Sequence, residues 1–193
     1  MTKPMSSAPP SAPDTVKPAA ARAQLPVYEE ALSLYRQGNY EKATDMLSGL
    51  LARSEAPPAF GKAVALMAQV QANCGKIDLA LEWVEKAIAV DKLNAELYYL
   101  RATIYQEQGG GSKAMASLKQ AIYLDQAFIM AHFALGMLTR QNGKPGAAGK
   151  HLENALSLLG ACPDDDPVPG AEGMTTARLS EIITSTRASI LQR

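Results

Sequence analysis

The sequence has very little cysteine: Cys74 and Cys162 are the only two in 193 residues, and they form no CxxC pair. That excludes a disulfide framework and a tetrahedral zinc set, and a reducing cytoplasm fits best. There is no excess of either charge, with 19 Lys plus Arg against 19 Asp plus Glu. No global field therefore draws the chain to nucleic acid or to an anionic membrane. No apolar run approaches the roughly 18 residues that span a bilayer, and the N-terminus lacks the apolar core of a signal peptide. The expectation is a cytoplasmic protein with no nucleic-acid partner and no membrane insertion.

Chemistry-bearing motifs are missing as well. Gly109, Gly110 and Gly111 follow a helical run, and no GxxxxGK[ST] or GxGxxG follows a strand, so the glycines read as an inter-helix turn. His132 and His151 are the only histidines. His132 falls at an inward position of its helix and His151 next to a buried leucine. They read as not placed to share a ligand, with no acid or nucleophile at useful spacing. Asp164, Asp165 and Asp166 lack the DxDxDG spacing of a calcium loop, and the prolines after them favour a solvated turn. No catalytic, cofactor-binding or metal residue is assigned.

What is present begins with residues 1–24, rich in Pro, Ala and Ser and nearly free of large apolar side chains. Such a segment buries too little to offset its ordering entropy, and it reads as a disordered linker or tail. From Leu25 the apolar residues recur at helical spacing, with no competing strand alternation. Gly75, Gly109 and Gly143 stand 34 residues apart, as do Ala80, Ala114 and Ala148, then Ala87, Ala121 and Ala155, and also Ala68, Ala102 and Gly136. An earlier copy holds Gly38, Tyr40, Ala43, Leu47 and Leu50, offset by 37 because the Ser54 to Phe60 connection is longer.

This period of two helices resembles the tetratricopeptide repeat, TPR. The small residues mark close helix crossings, the glycines end the first helix of each hairpin, and Leu47, Val84, Leu118 and Leu152 are the large apolar fillers of the second. The usual aromatic near the start of the first helix is Val27, Val64, Tyr98 and His132, and the closing proline is missing at Lys92 and Gln126. The expected fold is all-α: a right-handed α-solenoid of four hairpins (25–57, 61–94, 95–128 and 129–160) within residues 25–160. A Pro/Asp/Gly loop (161–174) follows, then a capping helix (175–193), capped by Thr175 or Thr176, that shields the last stacking face.

Solenoids act through surfaces, so the candidate site is the concave groove lined by the first helices. In this register it takes Tyr28, Leu32, Lys62, Gln69, Asn73, Glu96, Tyr99, Thr103, Gln106, Met130, Phe133, Met137 and Arg140. A carboxylate clamp of the kind some TPR co-chaperones use would need a basic residue and Asn where Ala65 and Gln69, Tyr99 and Thr103, or Phe133 and Met137 stand, so none is expected. Met130, Phe133 and Met137 either form a peptide site or pack on the C-terminal helix or the linker; the sequence leaves both open.

A narrower resemblance rests on YLD before the corner at 125, AHFALG with Phe133 and Gly136, HLENAL at 151–156, and the tail DDDPVPGAEGMTTARL. Over roughly Gly109 to Ile183 the chain resembles the C-terminal TPR region of CheR-type chemoreceptor methyltransferases, notably those of Wsp-like and Frz-like chemosensory systems. That resemblance implies a bacterial signalling role. The parent enzyme would methylate receptor glutamates with S-adenosylmethionine through a separate catalytic domain absent from this sequence. This chain would then be a non-enzymatic docking module whose partner is a chemoreceptor, a chemosensory protein or its own methyltransferase domain. The alternative is a free-standing TPR adaptor.

Overall fold

The structure, a computed structural model, describes residues 17–53, 57–171 and 173–191. The helices are α1 (Lys17–Arg36), α2 (Tyr40–Arg53), α3 (Pro57–Asn73), α4 (Ile77–Val90), α5 (Ala95–Glu107), α6 (Gly111–Leu124), α7 (Ile129–Gln141), α8 (Pro145–Leu159) and α9 (Thr176–Leu191). Among the described residues there is no strand, and the one isolated bridge joins Pro167 to Thr175. The fold is therefore all-α, as the period required.

Two boundaries differ from expectation. α1 begins at Lys17, inside the segment read as linker, because the run AAARA carries strong helix propensity and Pro18 falls in the first turn, where its missing N–H is tolerated. The rest of the expected linker, residues 1–16, lies outside the described residues. α3 begins at Pro57, within the connection expected between the first two hairpins, again with its two prolines in the opening turn.

The chain divides at Ala63/Val64 into two compact units. In the first, α1 packs on α2, and Ala31, Ala43 and Leu47 are sealed from solvent. In the second, α5 pairs with α6, α7 with α8, and each hairpin leans on the next through α4 with α5, α6 with α7 and α8 with α9.

One device closes the turn inside every hairpin. Gly109 takes φ +76°, its N–H donates to Gln106 O at 2.9 Å, and the Gly110 N–H donates to Tyr105 O at 2.7 Å. This is a Schellman motif, which satisfies two carbonyls at the helix end and needs a left-handed residue. Gly38, Gly75 and Gly143 repeat it with Asn39, Lys76 and Lys144 as the second donors.

The corners between hairpins repeat as well. The Leu93 N–H donates to Asp91 Oδ1 and the Ala127 N–H to Asp125 Oδ1. Above them, the Tyr98 hydroxyl donates to Lys92 O at 3.0 Å, while His132 Nε2 meets Gln126 O at 3.1 Å. A tyrosine and a histidine thus tie down the two corner carbonyls where a proline is usual, one hairpin apart.

The small residues do what their spacing predicted. Ala102, Ala114, Leu118 and Ala121 form one core with Ala131, Leu135 and Leu138. In the last hairpin Gly136 faces Leu152 so closely that an added Cβ would lie 2.8 Å from Leu152 Cδ2 and 3.4 Å from Ala148 O. A side chain there would require the buried Leu152 to shift or α7 and α8 to move apart. Each fully buried leucine of these cores contributes on the order of 1.5–3 kcal/mol through apolar burial.

Candidate protein-docking groove

Spacings of three and four residues place Glu96, Tyr99, Thr103 and Gln106 on one face of α5, and Met130, Phe133, Met137 and Arg140 on the matching face of α7. The two faces have different fates. On α5, Glu96 and Gln106 are exposed, Thr103 is half-buried with its hydroxyl donating to Leu100 O at 2.8 Å, and the Tyr99 ring packs 5.1 Å from that of Phe128. Gln69 is half-buried and Asn73 exposed on α3 in the same unit. In the first unit Tyr28 and Leu32 are half-buried and Lys62 is exposed. Burial, then the charge of Glu29, pushes the Tyr28 phenol above its ordinary value against the opposing pull of Arg36, so it remains a neutral hydroxyl.

On α7 the start of the row is covered by the chain itself. Met130, assigned to the groove from its register, is buried at 7% exposure in a cluster with Val168, Ala171, Leu179 and Ile183, and Phe133 packs against the same cluster. Met137 is half-buried, while Arg140 is exposed and donates from Nη1 to Ser189 Oγ of α9 at 3.3 Å. Of the two alternatives for this patch, packing on the C-terminal segment is the one realised for Met130 and Phe133.

That segment is built, not merely draped. The Val168 N–H donates to Met174 O at 2.9 Å, the Met174 N–H to Ala171 O at 3.0 Å, and the Ala171 N–H to Val168 O at 3.1 Å. The carbonyls of Asp164 and Asp166 accept from the Ala177 and Thr176 N–H groups, and Thr175 Oγ1 accepts from the Arg178 N–H as the helix cap. Asp164 and Asp166 therefore open α9 through their backbone carbonyls. Sequence reasoning missed Val168, Ala171 and Phe128; for the first two the available signal was a pair of apolar residues three apart inside a loop rich in Asp, Pro and Gly.

Beside the covered row, a cleft of about 730 Å³ opens between the starts of α5 and α7 and this loop, with Leu93, Glu96, Phe128, Ile129 and Val168 among its walls. Its largely apolar lining suits a peptide side chain more than a small polar metabolite.

The histidines correct the sequence reading. Read from the sequence as not placed to share a ligand, they are nonetheless neighbours, with ring centroids 6.0 Å apart, because the antiparallel α7–α8 hairpin folds position 151 back beside position 132. Among the described residues no third His, Cys, Asp or Glu joins them in a metal-holding group. Cys74 and Cys162 are free and exposed. No helix among the described residues is long and apolar enough to cross a membrane.

A family model described as tetratricopeptide repeat matches residues 95–128. No curated protein matches the chain by sequence. Among solved structures the chain is similar to MamA residues 41-end from Desulfovibrio magneticus RS-1, at 22% identity and TM-score 0.62, over 72% of this chain and 76% of that one. It is similar to a tetratricopeptide repeat protein from Parabacteroides merdae, at 18% identity and TM-score 0.64, over 87% of this chain and 61% of that one. The Yersinia enterocolitica type III secretion chaperone SycD, solved with a peptide of the translocator YopD, matches at 18% identity and TM-score 0.58, over 67% of this chain and 90% of that one. Residues 95–128 are thus a tetratricopeptide repeat, and the fold is that of tetratricopeptide repeat proteins.

Proposed function

We propose that this protein-interaction module is the regulatory or docking region of a CheR-type methyltransferase, the enzyme class that methylates chemoreceptor glutamates. The observation that carries the docking part is the open face of α5, Glu96, Thr103 and Gln106, leading into the cleft beside Phe128. The assignment to the methyltransferase rests on the sequence resemblance, above all the tail DDDPVPGAEGMTTARL. In this reading S-adenosylmethionine chemistry belongs to a catalytic domain, and the chain contributes recognition in a bacterial cytoplasm. The partner is a chemoreceptor tail, a chemosensory protein or the methyltransferase domain itself.

Calorimetry with a CheR-type methyltransferase domain and a receptor tail tests it directly. Saturable binding is expected, weakened at least tenfold by the pair Glu96→Arg and Gln106→Arg, which alters exposed positions only. Binding to neither would remove the methyltransferase assignment. The second reading, a free-standing TPR adaptor, is favoured by the likeness to SycD, which was solved holding a peptide of another protein. It predicts capture of a peptide partner with no affinity for the methyltransferase domain.

A further inference from the structure

His132 and His151 take no part in the groove, yet they are built into the α7–α8 interface. His132 is buried at 5% exposure, and its Nε2 faces the carbonyl of Gln126 at 3.1 Å. A carbonyl only accepts, so Nε2 carries the proton and Nδ1 is left with a bare lone pair. The Nδ1 atoms of both rings are sealed from solvent and meet no hydrogen-bond partner. A proton on His151 would place a charge beside inner nitrogens that have no acceptor.

The surroundings supply no relief for a proton. Burial first, then His132, then Lys119 of α6, push His151 below the ordinary imidazole value of 6.5. On α8 itself Lys150 precedes it, and Glu153 is engaged by Arg187 of α9 at 3.0 Å. The neighbouring cleft of about 560 Å³ is walled by Lys119, Tyr123, Gln126, His132, Asn154 and Ser157, with no carboxylate among the described residues.

We propose that His132 and His151 form an acid-sensitive latch: while His151 is neutral the α7–α8 hairpin closes and His132 holds the α6–α7 corner through Gln126, and a proton on His151 loosens both. The α7 face that packs under the C-terminal loop lies on the same helix, so acidification relaxes the covered end of the groove. A histidine that binds its proton more weakly in the fold than in the unfolded chain takes up that proton on unfolding. Its stabilising effect is complete above about pH 6.5 and is lost as pH falls from there toward the folded value.

The test is an imidazole NMR titration of the intact chain together with urea unfolding between about pH 8 and pH 5, the range over which histidine charge changes. His151 is expected to titrate below 6.5, and the urea midpoint of the wild type to fall with acid. Each pH unit by which His151 is held down corresponds to about a tenfold change in the folding equilibrium. In His151→Gln the midpoint should fall less. In His132→Tyr, whose hydroxyl can reach the corner carbonyl as that of Tyr98 does, His151 should titrate closer to its ordinary value. A wild-type His151 titrating at or above 6.5 would overturn the latch, as would an equal acid loss in His151→Gln. If the variants do not fold, the wild-type titration decides alone.

Discussion

Residues 95–128 and 129–160 are two hairpins in one register, and they differ mainly in what the chain does with their outward faces. Both end their first helix on a left-handed glycine, Gly109 or Gly143, both tie a corner carbonyl, and both bury Ala, Leu and Ala on their second helix. Yet Glu96 faces solvent, while the equivalent Met130 is closed under Val168 and Ala171. Register fixes which side chains go inward. Whether an outward side chain stays available is decided by a segment outside the repeat.

Substitutions can break or sharpen this comparison. The largest effect is expected from Leu152→Ala, about 2–5 kcal/mol of lost stability in urea unfolding, because Leu152 is fully buried and fills the space against Gly136. Leu118→Ala in the preceding hairpin should cost a similar amount if the two cores are equivalent. Next comes Gly136→Ala, expected to destabilise by about 1–3 kcal/mol through overpacking against Leu152. The reciprocal Ala102→Gly should cost only about 0.5–1 kcal/mol, a difference that shows how much tighter the last hairpin is.

Val168→Ser places a hydroxyl in an apolar cluster and should cost about 1–3 kcal/mol. Amide exchange should then rise in residues 163–175 and at the start of α7 while the α5–α6 hairpin keeps its protection. Uniform loss of protection would mean that the two hairpins are not separable. The smallest effect belongs to Arg187→Gln. The Arg187–Glu153 pair is half-exposed, and its removal should cost less than about 1 kcal/mol and less still at high salt.

The hairpins were legible because the constraints that shape them are local and periodic. A left-handed turn needs glycine and a close crossing needs Ala or Gly, so Gly75, Gly109, Gly143, Ala114 and Ala148 announce themselves by type and interval. The burial of Met130 was not legible, because its cover comes from Val168 and Ala171 in a segment with no period. The histidine pair was missed for a related reason: adjacency across an antiparallel hairpin depends on rotation about the helix axes, which a listing of spacings does not carry. The start of α1 was misread because proline count outweighed Ala19, Ala20, Ala21 and Ala23.

α9 sits on α8 as α7 sits on α6, but the loop before it has already folded over the start of α7. The array therefore has a polarity. A hairpin inserted between α6 and α7 would find compatible stacking faces on both sides. One appended after α8 would have to unseat Val168, Ala171 and the cap of α9 together. In this protein a hairpin added at an internal junction displaces less than one added directly after α8.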